Sequence, residues 1–219
     1  MSVAENIRKI KKNLPETLTL VAVSKNQPNN AILEAYQTGQ RVFGENKVQE
    51  LVAKYESLPK DIEWHMIGHL QSNKVKYIAP FVYLIHGIDS FKLLAEVNKH
   101  ALSNHRIINV LLQVFIAKEE TKFGFSEIEV VDLLNSEKFQ ELKNIKVVGL
   151  MGMATNTDNE QQIRNEFKGL KKLFLQLQTL NFKLQTLSMG MSSDYKIAIE
   201  EGSTMIRIGS SIFGERNYP

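Results

Sequence analysis

With 219 residues, 43% of them hydrophobic and 23% charged, the chain is long enough to bury a core without covalent staples, which excludes general disorder. The absence of cysteine excludes a disulfide framework, a thiolate metal site and a thiol nucleophile. A net charge of +3, from 27 basic and 24 acidic residues that are interspersed along the chain, gives little reason to invoke nucleic acid.

The first fourteen residues place Val3, Ile7, Ile10 and Leu14 on one stripe among charged neighbours, the pattern of an amphipathic helix and not of a signal peptide. No later stretch approaches 18 uninterrupted apolar residues, so no membrane span is expected and the chain is read as cytoplasmic. Short apolar runs then alternate with segments of helical period. Strands are expected at Leu18–Ser24, Arg41–Gly44, Glu63–Ile67, Tyr83–Gly87, Ile107–Ile116, Ile145–Met151, Lys183–Ser188 and Thr204–Ile208. Between them, helices are expected near Asn29–Thr38, Glu45–Ser57, Asn73–Ile78, Ser90–Ser103, Ser126–Asn135, Asn159–Leu180 and Ser193–Glu200. Ser90 and Ser126 suit N-caps, and Gly39 and Gly202 stand where a left-handed C-cap is needed. Eight strands with seven crossovers fit an α/β fold built as a single (β/α)8 TIM barrel spanning residues 1–219, with an extra helix in front. Alternation alone leaves a doubly wound sheet open.

In a barrel, functional groups collect where strands end and loops begin. Lys25 follows the almost wholly apolar run Leu20-Val21-Ala22-Val23. An inward amine there is partly desolvated, which favours the neutral form that attacks a carbonyl to make a Schiff base. Ser188-Met189-Gly190-Met191-Ser192-Ser193 and Arg207-Ile208-Gly209-Ser210 follow the last two strands, where hydroxyls and glycine N–H groups can cradle a phosphate. Arg207 would sit deeper and donate to a ring heteroatom. Phe43-Gly44-Glu45-Asn46 is expected to end a strand and open a helix, with Glu45 favoured by the helix dipole and Asn46 aiming its amide at a ligand. His65 and His69, with a glycine between them at a strand end, do not share a helical face, so a metal site is not expected. His65 is expected to pack and hydrogen-bond in the barrel mouth. Lys118 to Phe125 reads as a solvated loop, and Met151-Gly152-Met153-Ala154 places small, soft residues where a flat ring can approach.

Val21-Ala22-Val23-Ser24-Lys25, Phe43-Gly44-Glu45-Asn46, Trp64-His65 through Gln71-Ser72-Asn73-Lys74, Lys122-Phe123-Gly124-Phe125, and Leu187 to Ser192 through Arg207-Ile208-Gly209 to Phe213-Gly214 occur in this order over nearly the whole chain. Together they resemble the pyridoxal phosphate homeostasis (YggS/PROSC) family. That resemblance implies a barrel like the N-terminal domain of alanine racemase, holding pyridoxal 5′-phosphate (PLP) on Lys25 as the Schiff-base lysine. It places Ser192, Gly209 and Ser210 at the phosphate, Arg207 at the pyridine nitrogen and Asn46 beside the cofactor, with Met153 as a further binding residue and Ser188 an alternative to Ser192. His69 stands where many members have proline, which concerns loop shape only.

By the same resemblance the chain stores or delivers PLP and so balances vitamin B6, and indirectly amino and keto acids. No catalytic residue is assigned. The chain is expected to work as a monomer, with PLP and PLP-requiring apoenzymes as partners. It ends at Pro219 without the second domain that completes a racemase site, so an open mouth is expected. The alternatives are a weak amino-acid racemase and a Schiff-base aldolase acting on a phosphorylated sugar.

Overall fold

Each expected strand is present, and each pairs in parallel with the next in sequence until the last returns to the first, closing a barrel. The computed structural model describes residues 2–117, 123–180 and 182–214. Its strands are β1 (Thr19–Val23), β2 (Val42–Glu45), β3 (Glu63–Met66), β4 (Leu84–Ile88), β5 (Ile108–Gln113), β6 (Ile145–Met151), β7 (Thr186–Ser188) and β8 (Met205–Ile208). Closure sets Val21 of β1 opposite Arg207 of β8 and Ala22 opposite Ile208.

Around them run α1 (Val3–Lys12), α2 (Asn29–Gln37), α3 (Val48–Ser57), α4 (Val75–Ile78), α5 (Phe91–Ser103), α6 (Glu127–Asn135), α7 (Glu137–Gln140), α8 (Glu160–Thr179), α9 (Tyr195–Glu200) and α10 (Ser210–Phe213). A 3-10 turn, Ser72–Lys74, precedes α4. Neither α7 nor α10 is foreshadowed by a helical period, because four residues carry less than two turns of pattern. Ser90 and Ser126 cap α5 and α6, the latter in a reciprocal capping box with Glu129. Gly39 and Gly202 both take positive φ past the ends of their helices.

Several boundaries differ from the sequence pattern. β5 stops at Gln113, after which Val114 forms a single bridge with Phe125. β7 starts at Thr186, three residues later than the apolar run suggests. Glu45 ends β2, and the helix after it begins only at Val48. Phe123 is exposed, but Phe125 is buried and Phe115 N donates to its carbonyl, so the loop expected to be solvated turns inward at its end. The remainder of that loop, Lys118–Lys122, lies outside the described residues.

The pleat sorts side chains into two layers. One face of each strand meets the helices, where Phe43, Trp64, Leu51 and Phe167 pack at 0–1% exposure. The other face fills the barrel with Val21, Leu84, Leu111, Met151 and Met205. Counting in twos from these inner residues gives Val23 and Lys25 on β1 and its exit, Val42, Gly44 and Asn46 on β2, His86 on β4, and Arg207 and Gly209 on β8. Ser24 and Glu45 consequently face outward, toward α3.

Gly149 in β6 is fixed by close approach, since a Cβ there would lie 1.7 Å from the Thr186 carbonyl oxygen of β7. Gly149→Ala is expected to lower the unfolding free energy by about 3 kcal/mol or more, because backbone must move. Urea unfolding measures it, and a loss below about 1 kcal/mol would show that the two strands separate freely.

Candidate functional site

A cavity of about 510 Å³ opens at the C-terminal rim of the strands, where the inward-facing strand-end residues meet. Lys25, Asn46, Met153, Ser192, Arg207, Gly209 and Ser210 all line it. Lys25 is carried by a turn closed from Gln27 N to the Ser24 carbonyl at 3.0 Å, with Asn26 at φ 62°. Across the cavity, Ser192 Oγ accepts the Gly209 N–H at 3.3 Å, tying the exit of β7 to that of β8. Asn46 Oδ1 is buried and has no hydrogen-bond partner among the described residues. Gly68, whose Cβ would lie 2.6 Å from the Asn46 carbonyl oxygen, lets the β3 exit pack against that residue.

Ser188 departs from expectation. It is fully buried and is not part of the cavity wall; its hydroxyl lies below, held by Arg207 Nη1 at 2.6 Å and within 3.1 Å of His86 Nδ1. Arg207 also donates through Nη2 to the Gly152 carbonyl at 3.2 Å. His86 Nε2 in turn lies 3.0 Å from His65 Nδ1.

Arg207 only donates, so Ser188 Oγ accepts from it, and each of the two further contacts, Ser188 to His86 and His86 to His65, shares one proton between neutral groups. His65 Nε2, at the far end, is buried with no partner among the described residues. Burial drives His65 down to about 3 and His86 well below the usual histidine range, the latter helped by the charge of Arg207. Burial also lowers Arg207, to about 10, which leaves it charged near neutrality.

On the outer face of the same strand ends, Glu45 Oε1 accepts from Ser24 Oγ at 2.5 Å and from Lys54 Nζ at 2.8 Å. Burial pushes the Glu45 carboxyl up to about 7 against the pull of Lys54. Glu45 therefore does not serve the helix dipole as expected; it belongs to a buried ion pair.

Sequence reading missed other parts of the wall. Gln113, His69, Phe123 and Met191 line the mouth. The His69 ring stacks on Phe123 with centroids 4.3 Å apart, and its Nδ1 pairs with Asp89 at 3.0 Å. Gln113 Nε2 donates to the Phe123 carbonyl at 2.7 Å. No three His, Asp or Glu side chains gather as a metal set among the described residues. No described helix is long and apolar enough to cross a membrane.

Residues 1–217 match the family model of the alanine racemase N-terminal domain. A pyridoxal phosphate homeostasis protein of Aquifex aeolicus is 45% identical over 201 residues, covering 91% of this chain and 87% of that one. The chain belongs to the pyridoxal phosphate homeostasis protein family. Among solved structures, PipY of Synechococcus elongatus, determined with PLP bound, matches at TM-score 0.88 and 36% identity, covering 97% of this chain and all of that one. Alanine racemase of Clostridium difficile shares the fold at TM-score 0.80 and 13% identity, covering 99% of this chain and 57% of the racemase.

For this family member the neutral histidines predict acid sensitivity. Unfolded histidine takes a proton below about pH 6.5, whereas folded His65 takes one only near pH 3, so unfolding is favoured as pH falls through that window. His65→Gln keeps a hydrogen-bonding partner for His86 while removing the titration. Urea unfolding between pH 6 and 4 is expected to lose about 1.4 kcal/mol per pH unit less in the variant than in the wild type. An identical slope would place a charged His65 in the fold.

Proposed function

We propose that this chain binds PLP in the rim cavity and serves the intracellular balance of that cofactor as a carrier or store, not as a catalyst. The observation that carries the reading is that an amine, a hydroxyl pair and a buried donor-only cation converge on one cavity of about 510 Å³ in a member of this family. When bound, the cofactor supplies an aldehyde that a lysine amine can hold reversibly. Lys25 is the residue for that role, because it faces the cavity from the end of β1.

Ser192, Gly209 and Ser210 hold the phosphate. The Gly209 N–H already meets Ser192 Oγ, so the serine is oriented toward the same spot before any anion arrives. Asn46 offers the ligand a buried oxygen that has no partner among the described residues, and Met153 packs against the ring. Ser188 acts one layer deeper, fixing Arg207 and leaving the phosphate to Ser192.

Arg207 decides between carrier and catalyst. A carboxylate opposite the ring nitrogen would keep it protonated and make the ring an electron sink; a guanidinium donates a hydrogen bond and leaves the nitrogen unprotonated. Here the relay through Ser188 and His86 pins that guanidinium, so proton abstraction from a bound amino acid gains little help from the ring. We assign the chain to the cytoplasm as a monomer, with PLP-requiring apoenzymes as recipients.

The purified protein is expected to be yellow, and borohydride should fix a pyridoxyl group on Lys25, located by peptide mass spectrometry; an adduct on another lysine would overturn the assignment. Arg207→Glu is expected to alter the absorbance of the bound cofactor. An unchanged spectrum at full PLP content would remove Arg207 from the ring nitrogen. Chiral analysis after incubation with L-amino acids should show no sustained D-isomer; ordinary turnover would make the protein a racemase.

A further inference from the structure

The side of the β1 exit that faces away from the cavity carries a second polar assembly, and the binding reading gives it no task. Lys54 projects from α3 and is 5% exposed. Its ammonium has three hydrogens, and three acceptors take them: the Ser24 carbonyl at 2.7 Å, Glu45 Oε1 at 2.8 Å and Glu50 Oε1 at 2.6 Å. Glu50 Oε1 also accepts the backbone N–H of Asn26 at 2.6 Å. Ser24 Oγ meanwhile donates to Glu45.

Ser24 and Asn26 are the two neighbours of Lys25. Three of these contacts, at the Ser24 carbonyl, the Ser24 hydroxyl and the Asn26 N–H, therefore fall on the residue before or the residue after it, and a saturated ammonium joins them through Glu45 and Glu50. The turn they hold is unusual in its own right. Asn26 takes φ 62°, a left-handed conformation that asparagine enters more readily than other non-glycine residues, and its N–H is held there by Glu50. Period-two alternation sends Ser24 outward to this assembly and Lys25 inward to the cavity.

We propose that Lys54 and Glu50 are positioning residues for Lys25: from behind β1 they clamp both flanking peptides, fixing where its amine meets an aldehyde ligand. The inference rests on the reading that Lys25 forms the imine. In that step the Nζ lone pair adds to the aldehyde carbon, a C=N bond replaces C=O, and the oxygen leaves as water with the two amine hydrogens. Neither Lys54 nor Glu50 lines the cavity, so neither touches the ligand. Loss of the clamp should weaken the covalent step and spare recognition of ring and phosphate.

Two ligands separate these effects. PLP can form the imine, whereas pyridoxine 5′-phosphate has the same ring and phosphate with an alcohol in place of the aldehyde. Binding of both is measured by calorimetry for the wild type, Lys54→Met, Glu50→Ala and Glu50→Gln, with mass spectrometry of the borohydride-fixed product.

The wild type should bind PLP more tightly than the alcohol. In Lys54→Met and Glu50→Ala, PLP affinity should fall about tenfold while affinity for the alcohol stays within about twofold, the loss of a charge-assisted hydrogen bond being felt only at the amine. Glu50→Gln, which still offers an oxygen to Asn26 N–H, should recover most of the difference. Equal losses for both ligands would make the assembly a general packing element, and unchanged PLP affinity would remove it from the site; either result overturns the proposal. If Lys54→Met does not fold, the Glu50 pair decides alone. A wild type without preference for the aldehyde would instead sink the Lys25 assignment on which the proposal stands.

Discussion

The pairing of β1 with β8 is the constraint on which the site depends. Setting Val21 beside Arg207 and Ala22 beside Ile208 fixes the register at the seam of the barrel, and everything beyond the ends of those strands inherits it. Lys25 and Gly209 stand 184 positions apart in the chain and line one cavity because of this closure. A one-residue slip would exchange the inner and outer faces of a strand, putting Lys25 among the helices and Ser24 into the cavity.

Closure also leaves the barrel with charged and polar groups inside it, and their arrangement is economical. Arg207 is 4% exposed yet has Ser188 and Gly152 as acceptors, and two neutral histidines extend the chain of bonds without adding charge. On the outer side, Lys54 sits between two carboxylates. Isolated buried charges would cost many kcal/mol, so partners of this kind are a condition of the fold as well as of the site.

How far the sequence discloses this differs from residue to residue. The barrel is legible because eight apolar runs alternate with amphipathic helices, and Lys25, Arg207 and Gly209 stand out because polar or glycine residues follow apolar strands. Glu45 is misread because a glutamate before a helix has an ordinary local explanation. Only the parity of β2 and the partner nine residues on, at Lys54, show its true setting. His86 lies within Leu84–Ile88 as a single polar residue in an apolar strand, with nothing local to signal its bonds to Ser188 and His65. Phe123 and His69 meet at the mouth through tertiary contacts that no period in the sequence encodes. Ser188 and Ser192 read alike in the sequence; depth in the barrel separates them, Ser188 lying beneath the cavity wall that Ser192 lines.

The floor and the flank of the cavity are kept by different means. Beneath it, a charged arginine and two imidazoles that burial keeps neutral form a file of hydrogen bonds. Behind the lysine, burial works against the charge on the Glu45 carboxyl while Lys54 works for it. An imidazole removed from the file leaves one unanswered dipole, whereas removal of Lys54 strips a buried carboxyl of its counter-charge, so only on the flank does a lost side chain bear on the charge of its neighbour.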